Sequence, residues 1–278
     1  MNLPSPAKVN LHLQILDRRS DGFHEIQTIL QRIDLADEVD VRLQGVGLEV
    51  IGEGEPVPSG LENLAGRAAQ AFLEECGIRT GVRIQLKKRI PVAAGLGGGS
   101  SNAASVLLLL NELLQAGWGE ERLRELGTRI GADVPFFLFP GPAIGRGKGE
   151  RLEAVELPRP LFFLLAIPPF RIETVWAYAA YDRALKRKEE AVKIEKFYPT
   201  LADLLPVLRN DLQEPVFRRF PQIAGLKQEL LARGAAGALM SGSGPVSFGL
   251  FAGRGEAEHA ERRLKLPAGW RTVVVQGL

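Results

Sequence analysis

The chain has 278 residues, with 35 Lys+Arg against 33 Asp+Glu and a formal net charge of +2. A near-neutral balance disfavours bulk nucleic acid or an anionic membrane as the main partner, and a lone cysteine, Cys76, excludes an intramolecular disulfide or a cysteine metal cluster. Apolar residues make up 45% and charged residues 24%, an ordinary globular composition, while the 31 glycines exceed an average usage of roughly 7% by about a dozen.

Near the start, Val9, Leu11, Leu13 and Ile15 alternate with Lys8, Asn10, His12 and Gln14. This period of two predicts a strand with one apolar and one polar face. The polar face is either a solvated stripe or the lining of a cleft. Residues 17–22 predict a turn, and strands follow at 26–33 and 39–43, with a short one near 48–51. A Gly/Pro-rich loop covers 52–60, and Leu64, Ala68, Ala71 and Phe72 mark a helix over 62–76. Val82, Ile84 and Leu86 predict another strand.

The most informative segment is Ala93-Ala-Gly-Leu-Gly-Gly-Gly-Ser-Ser-Asn102, which feeds a helix expected at 103–115. Four glycines in the five positions 95–99 let a backbone approach a ligand without Cβ obstruction. A helix starting there aims free N–H groups and its positive dipole end at the loop, which suits phosphate. The same pattern also describes a flexible loop with a Ser/Asn cap. It is not a Walker A loop, because Ser100 follows Gly99 where Lys is required, and no G-x-G-x-x-G is completed.

A second helix is expected at 120–130, stopped by Gly131, and residues 133–139 read as a buried strand. Asp133 precedes that apolar run and is placed either to cap a turn or to accept a hydroxyl proton. Glycines 141, 145, 147 and 149 mark a turn region, and Leu157-Pro-Arg-Pro160 suggests a domain boundary. Beyond it come a strand at 161–167, a helix at 175–187 and a charged run at 186–196. Helices at 221–233 and 256–265 alternate with strands at 237–240, 245–251 and 271–276, and Ser241-Gly-Ser-Gly244 links the first two of these strands. The fold class is α+β in two parts. No apolar run reaches the ~18–20 residues of a membrane span, and the first residues lack the pattern of a secretory leader, so a cytoplasmic location is expected.

Five segments occur in order: Pro6-Ala-Lys-Val-Asn-Leu11, Asp21-Gly-Phe-His-Glu25, Pro91-Val-Ala-Ala-Gly-Leu-Gly-Gly-Gly-Ser-Ser-Asn-Ala-Ala104, Gly131-Ala-Asp-Val-Pro-Phe-Phe137 and Met240-Ser-Gly-Ser-Gly244. Together they resemble the GHMP kinase superfamily over nearly the whole chain. The triple glycine before Ser-Ser-Asn and the Asp-Gly-aromatic-His segment resemble a particular branch of it. That branch phosphorylates the C2 hydroxyl of a cytidine diphosphate-linked methylerythritol in isoprenoid precursor synthesis.

The resemblance implies an ATP-dependent transferase of two domains, 1–157 and 158–278. The first is expected to resemble ribosomal protein S5 domain 2, and the second to be ferredoxin-like. It implies Asp133 as catalytic base, with Lys8 beside it. Gly95, Leu96, Gly97, Gly98, Gly99, Ser100 and Ser101 would wrap the ATP phosphates, with Ser100 and Ser101 as candidates for binding Mg²⁺. Asn63 and Lys88 correspond to residues near the adenine. Asn10, Phe23 and His24 correspond to substrate-binding residues, with Phe23 standing where the family commonly has Tyr. A second stacking aromatic is expected at Tyr178, or else at Trp176. The expected partner is the small-molecule substrate, without nucleic acid or membrane, and the protein would be a monomer or homodimer.

Overall fold

The computed structural model describes residues 1–184 and 190–278. Its strands are β1 (Asn2–Arg18), β2 (His24–Gln44), β3 (Leu48–Glu53), β4 (Gly81–Lys87), β5 (Ala143–Gly147), β6 (Arg151–Ala154), β7 (Phe162–Ile167), β8 (Arg209–Asn210), β9 (Gly237–Met240), β10 (Ser247–Phe251) and β11 (Arg271–Gln276). Its helices are α1 (Leu64–Cys76), α2 (Gly98–Leu113), α3 (Glu120–Ile130), α4 (Val134–Phe137), α5 (Thr174–Ala184), α6 (Leu201–Leu204), α7 (Gln213–Arg219), α8 (Pro221–Ala232) and α9 (Arg254–Arg263). The chain forms two compact units that interleave in sequence. One holds Met1–Ala7, Leu35–Val92 and Gly97–Pro140; the other holds Lys8–Asp34, Ala93–Leu96 and Gly141–Leu278.

In the first unit, β3 lies parallel to β4, and β4 lies antiparallel to residues 38–44 of β2. Helix α1 packs against α2. Asn63 caps α1 by accepting a hydrogen bond from Ala65 N at 3.0 Å, and Gly77 ends it in the left-handed region at φ 66°. Helix α3 buries Leu123, Leu126 and Ile130 along one stripe, with Glu120 and Glu121 at its N-terminus and Arg129 in its last turn, matching the helix dipole.

In the second unit, residues 26–30 of β2 pair antiparallel with β5, which pairs with β6. His12 and Leu13 of β1 run parallel to Arg209 and Asn210 of β8. A separate antiparallel sheet has the order β11-β7-β10-β9. Its inner strands β7 and β10 are buried at every residue, so both faces are covered and alternation disappears. Phe162, Leu164 and Ala166 of β7 pack with Leu226 and Leu230 of α8 and Ala257 and Ala260 of α9. On the other face of the same sheet, Phe163 meets Phe248 edge to face at 5.6 Å.

Several sequence expectations change in the structure. The polar stripe of β1 is not solvated: Lys8, Asn10, His12 and Gln14 are all buried. The strands expected at 26–33 and 39–43 are one strand, β2, because the acidic residues between them find partners. Asp34 accepts from Gln276 N at 2.8 Å, and Asp37 accepts several hydrogen bonds inside the first unit. Residues 134–137 form the helix α4 rather than a strand. A short apolar run carries no period that separates the two, and Pro135 is tolerated in a first helical turn. Helix α2 starts at Gly98, five residues before the expected 103, so Ser100, Ser101 and Asn102 lie inside its first turns. The end of the helix expected at 175–187 and part of the charged run at 186–196 lie outside the described residues. Among the described residues, no helix is long and apolar enough to cross a membrane.

Phe248 is fully buried at the centre of the second sheet. Phe248→Ala is expected to destabilise the protein by about 3–5 kcal/mol, read from the chemical denaturation midpoint at unchanged slope; a loss under about 1 kcal/mol would contradict this packing.

Candidate active site

The buried polar face of β1 obtains its hydrogen bonds within the second unit. Lys8 Nζ donates to Asn10 Oδ1 at 2.6 Å, Asn10 Nδ2 donates to Thr28 Oγ1 at 2.9 Å, and Thr28 Oγ1 donates to the His12 carbonyl at 2.5 Å. Asn10 therefore holds Lys8 with one end of its amide and β2 with the other, keeping one N–H and one lone pair for further partners. His12 Nδ1 lies 2.6 Å from the Val207 carbonyl, so this nitrogen carries the hydrogen. Burial pushes the His12 imidazole below its usual range, which keeps it neutral. Farther along, Gln14 bonds the backbone at Glu190 and Val192, and Gln27 donates to the Val192 carbonyl.

The turn 241–244 covers the heads of Lys8 and Asn10. A Cβ on Gly242 would sit 3.2 Å from Asn10 Oδ1 and 3.3 Å from Lys8 Nζ. Asn210 holds this turn by donating to the Met240 and Gly242 carbonyls at 2.6 and 2.8 Å. Ser241 Oγ donates to the Gly95 carbonyl at 2.9 Å. Gly95 has φ 76°, and a Cβ there would lie 2.0 Å from the Ser241 carbonyl oxygen, so only glycine fits. Lys8 N donates to the Leu96 carbonyl at 2.9 Å, tying the start of the glycine loop to β1.

The rest of the loop belongs to the first unit. Gly97, at φ 71°, is the N-cap of α2, and Ser101 N bonds its carbonyl at 2.9 Å as the first helical bond. The N–H groups before that bond have no intrahelical acceptor. They form a donor cluster at the positive end of a 16-residue helix. Gly98 is required by close packing, since its Cβ would lie 2.9 Å from Ile90 Cγ2. Gly99 is exposed, and Ser100 is partly exposed. Ser101 is buried, and its Oγ accepts from Ser5 Oγ at 2.8 Å. Of the two candidate cation serines, Ser100 is the more exposed.

Beneath the loop lies a buried ionic network. Asp37, fully buried, accepts from Lys88 Nζ, from Asn102 Nδ2 at 3.0 Å, and from the backbone N–H groups of Arg89 and Ile90 at 2.7 and 2.9 Å. Lys88 also donates to Asn102 Oδ1 at 3.0 Å, and Asn102 donates to Ser5 Oγ at 2.9 Å. The predicted adenine-region residues thus have structural partners: Lys88 is bound to Asp37 and Asn102, and Asn63 caps α1 while donating to the Pro58 carbonyl at 3.0 Å. Asp133 is half-buried at the N-cap position of α4. Ser100 is near the same segment, with its Oγ 3.9 Å from where a Cβ on Gly131 would stand. Lys8 and Asp133 belong to different units. Among the described residues, no group of three acidic, histidine or cysteine side chains forms a metal cluster.

Around His24 the predicted aromatics gather. The ring of Tyr178 stacks on the His24 imidazole with centroids 4.9 Å apart and planes at 29°. Trp176, the alternative, instead packs edge-on against Phe220 at 5.6 Å. Phe23 is exposed, with Lys148 Nζ 4.6 Å from its ring centroid. Lys148 is carried on the turn between β5 and β6, which gives the glycines at 147 and 149 a local purpose. Sequence reasoning missed Asp37, Lys148, Asp182 and Asn210. Asp182, whose carboxylate meets His24, is 158 residues away in the chain, and no local pattern marks such a pair.

The model for the GHMP kinases N terminal domain matches residues 63–141, and that for the GHMP kinases C terminal domain matches 190–267. The chain belongs to the GHMP kinase family, has its two-domain fold, and is a kinase. Within the family it is 46% identical to 4-diphosphocytidyl-2-C-methyl-D-erythritol kinase of Geobacter metallireducens, over 100% of this chain and 99% of the relative. A crystal structure of 4-(cytidine 5'-diphospho)-2C-methyl-D-erythritol kinase superposes with a TM-score of 0.80 at 40% identity, covering 100% of this chain and 99% of that one. Homoserine kinase from Cytophaga hutchinsonii shares the fold, at a TM-score of 0.71 and 21% identity over 99% of this chain and 95% of that one.

The ionic network yields a stability test. Asp37→Ala leaves the buried Lys88 ammonium without its carboxylate, and a loss of about 3–5 kcal/mol is expected. Urea denaturation measures it; a change within about 0.5 kcal/mol, as for a surface substitution, would show that the network is not holding the loop.

Proposed function

We propose that the protein transfers the γ-phosphate of ATP to the C2 hydroxyl of 4-diphosphocytidyl-2-C-methyl-D-erythritol. The products are ADP and the 2-phosphate, and the step belongs to isoprenoid precursor synthesis. The observation that carries this reading is the 46% identity to a kinase of that name along the whole chain. The proposal includes a small-molecule acceptor, no nucleic-acid or membrane partner, a monomer or homodimer, and a cytoplasmic location. It also assigns an N-terminal domain to 1–157 and a C-terminal domain to 158–278; the two family matches fall on either side of that boundary.

The proposed mechanism follows from what phosphoryl transfer needs: an oriented hydroxyl, a place for its proton, and neutralisation of charge on the transferring group. Asp133 takes the proton from the acceptor hydroxyl. The Lys8 ammonium, oriented by Asn10, stabilises the developing alkoxide. Backbone N–H groups at the start of α2 bind the β- and γ-phosphates, with the glycines permitting close approach. Mg²⁺ takes oxygen ligands and commonly needs only one or two from protein beside the phosphates. Ser100, partly exposed, would offer its hydroxyl, with Ser101 behind it, and the ion would screen the phosphate charge. Asn63 and Lys88 shape the adenine region through the segments they fasten. Phe23, His24 and Tyr178 receive the cytosine, by stacking and by hydrogen bonds to its edge.

An ADP-release assay with the cytidyl substrate tests the activity, and absence of turnover with ATP and Mg²⁺ rejects it. Asp133→Asn and Lys8→Ala are each expected to lower kcat at least ~10²-fold. A near-normal kcat in Asp133→Asn would remove that residue as the base. CDP is expected to bind the free enzyme, and His24→Ala to weaken it about tenfold or more, the loss of a buried hydrogen bond. Titration calorimetry reads both, and indifference to CDP would point to another alcohol as acceptor.

A further inference from the structure

His24 opens β2, and its side chain is only 9% exposed. Its Nε2 lies 2.7 Å from Asp182 Oδ1. Tyr178 and Asp182 are four residues apart on α5, one turn along the same face. That face grips the imidazole twice: Tyr178 covers its plane, and Asp182 takes its Nε2 edge. Arg18 Nη1 lies 4.0 Å from the other oxygen of Asp182.

An ionised carboxylate only accepts hydrogen bonds, so Nε2 must carry the hydrogen. In the neutral imidazole, Nδ1 is then a bare acceptor. No hydrogen bond to Nδ1 is made among the described residues. Cytosine and uracil differ at two positions of the pairing edge: the 4-position is an amino donor in cytosine and a carbonyl acceptor in uracil, and N3 is a bare acceptor in cytosine and an N–H donor in uracil. A protein acceptor facing the 4-position matches cytosine and opposes uracil.

We propose that Asp182 is a positioning residue for base specificity: it locks His24 in the Nε2–H tautomer, leaving Nδ1 to accept from the amino group of cytosine. The inference rests on the reading above that His24 meets the base, and it assigns the choice of cytosine over uracil to a carboxylate on α5.

The test uses Asp182→Asn, which keeps the size of the side chain. An amide offers Nε2 either an oxygen or an N–H. The lock is therefore lost, and Nδ1–H, a donor suited to uracil, becomes populated. Nitrogen NMR of the imidazole at about pH 8, above the ordinary histidine range, reports the tautomer. With three histidines in the chain, His24→Gln assigns the signal. The expected result is Nε2–H in the natural protein and a shift toward Nδ1–H in Asp182→Asn. The preference for CDP over UDP in calorimetry should fall by about tenfold or more, the scale of one buried hydrogen bond, with the affinity for ATP unchanged.

A natural protein with Nδ1–H, an Asp182→Asn variant with an unchanged tautomer, or an unchanged CDP/UDP ratio would each overturn the inference. The outcomes also separate it from the proposed activity. CDP selectivity that depends on Asp182, without turnover of the cytidyl substrate, sinks the activity and keeps the inference. Turnover without any CDP/UDP preference does the reverse.

Discussion

A polar strand face withdrawn from water must find its hydrogen bonds inside the protein, and β1 meets most of that demand, with His12 Nε2 left without a partner among the described residues. Leaving a buried donor or acceptor unpaired costs on the order of 1–3 kcal/mol, and an unpaired buried ammonium costs more. Lys8 is held by Asn10, Asn10 by Thr28, and Thr28 by the backbone of β1 itself. The chain of bonds fixes the Lys8 ammonium at one end of a relay anchored in two strands. The turn 241–244 can then lie over Lys8 and Asn10 because Gly242 presents no side chain and Asn210 holds its carbonyl. The Lys8 ammonium, which the proposed mechanism uses, is thus positioned by the same bonds that make its burial tolerable.

The first unit meets the same problem with a charge pair. Asp37 receives an ammonium, an amide and two backbone N–H groups, which occupies its acceptor sites. Such a buried pair adds little net stability against an apolar replacement, yet it is costly to break. Its consequence here is geometric. Lys88 follows β4, Asp37 lies on β2 and Asn102 is in the second turn of α2. The network therefore ties the beginning of α2 to two strands, and Gly98 allows the helix to sit close against Ile90. In the proposed role of this donor cluster as a phosphate site, such rigidity helps, because preorganised groups need no reorganisation when charge arrives.

Much of this was legible in the chain. The alternation in β1, the helical spacing of α1 and α3, and the strand–turn–strand pattern around 241–244 all appear where their periods place them. The grouping of Tyr178 with His24 was reached by resemblance, and the structure stacks the two rings. The departures share one cause. Periodicity reports which residues differ in polarity, but not which face is solvated, so the polar stripe of β1 read equally as surface or cleft. Acidic residues inside β2 looked like interruptions because their partners, such as Gln276 N for Asp34, are far away in sequence. The four apolar residues of α4 carry too little pattern to distinguish one helical turn from a strand.

The sequence by itself determined the family, the order of its motifs, the glycine loop and the residue types that phosphoryl transfer needs. Those features are local, encoded in runs of a few residues whose chemistry and spacing can be read directly. Only the tertiary structure decided that Lys8 and Asn10 are buried and bonded, that Lys88 pairs with Asp37, and that Asp182 meets His24. These are contacts between segments that folding brings together, and each depends on burial and direction, which no single stretch of chain records.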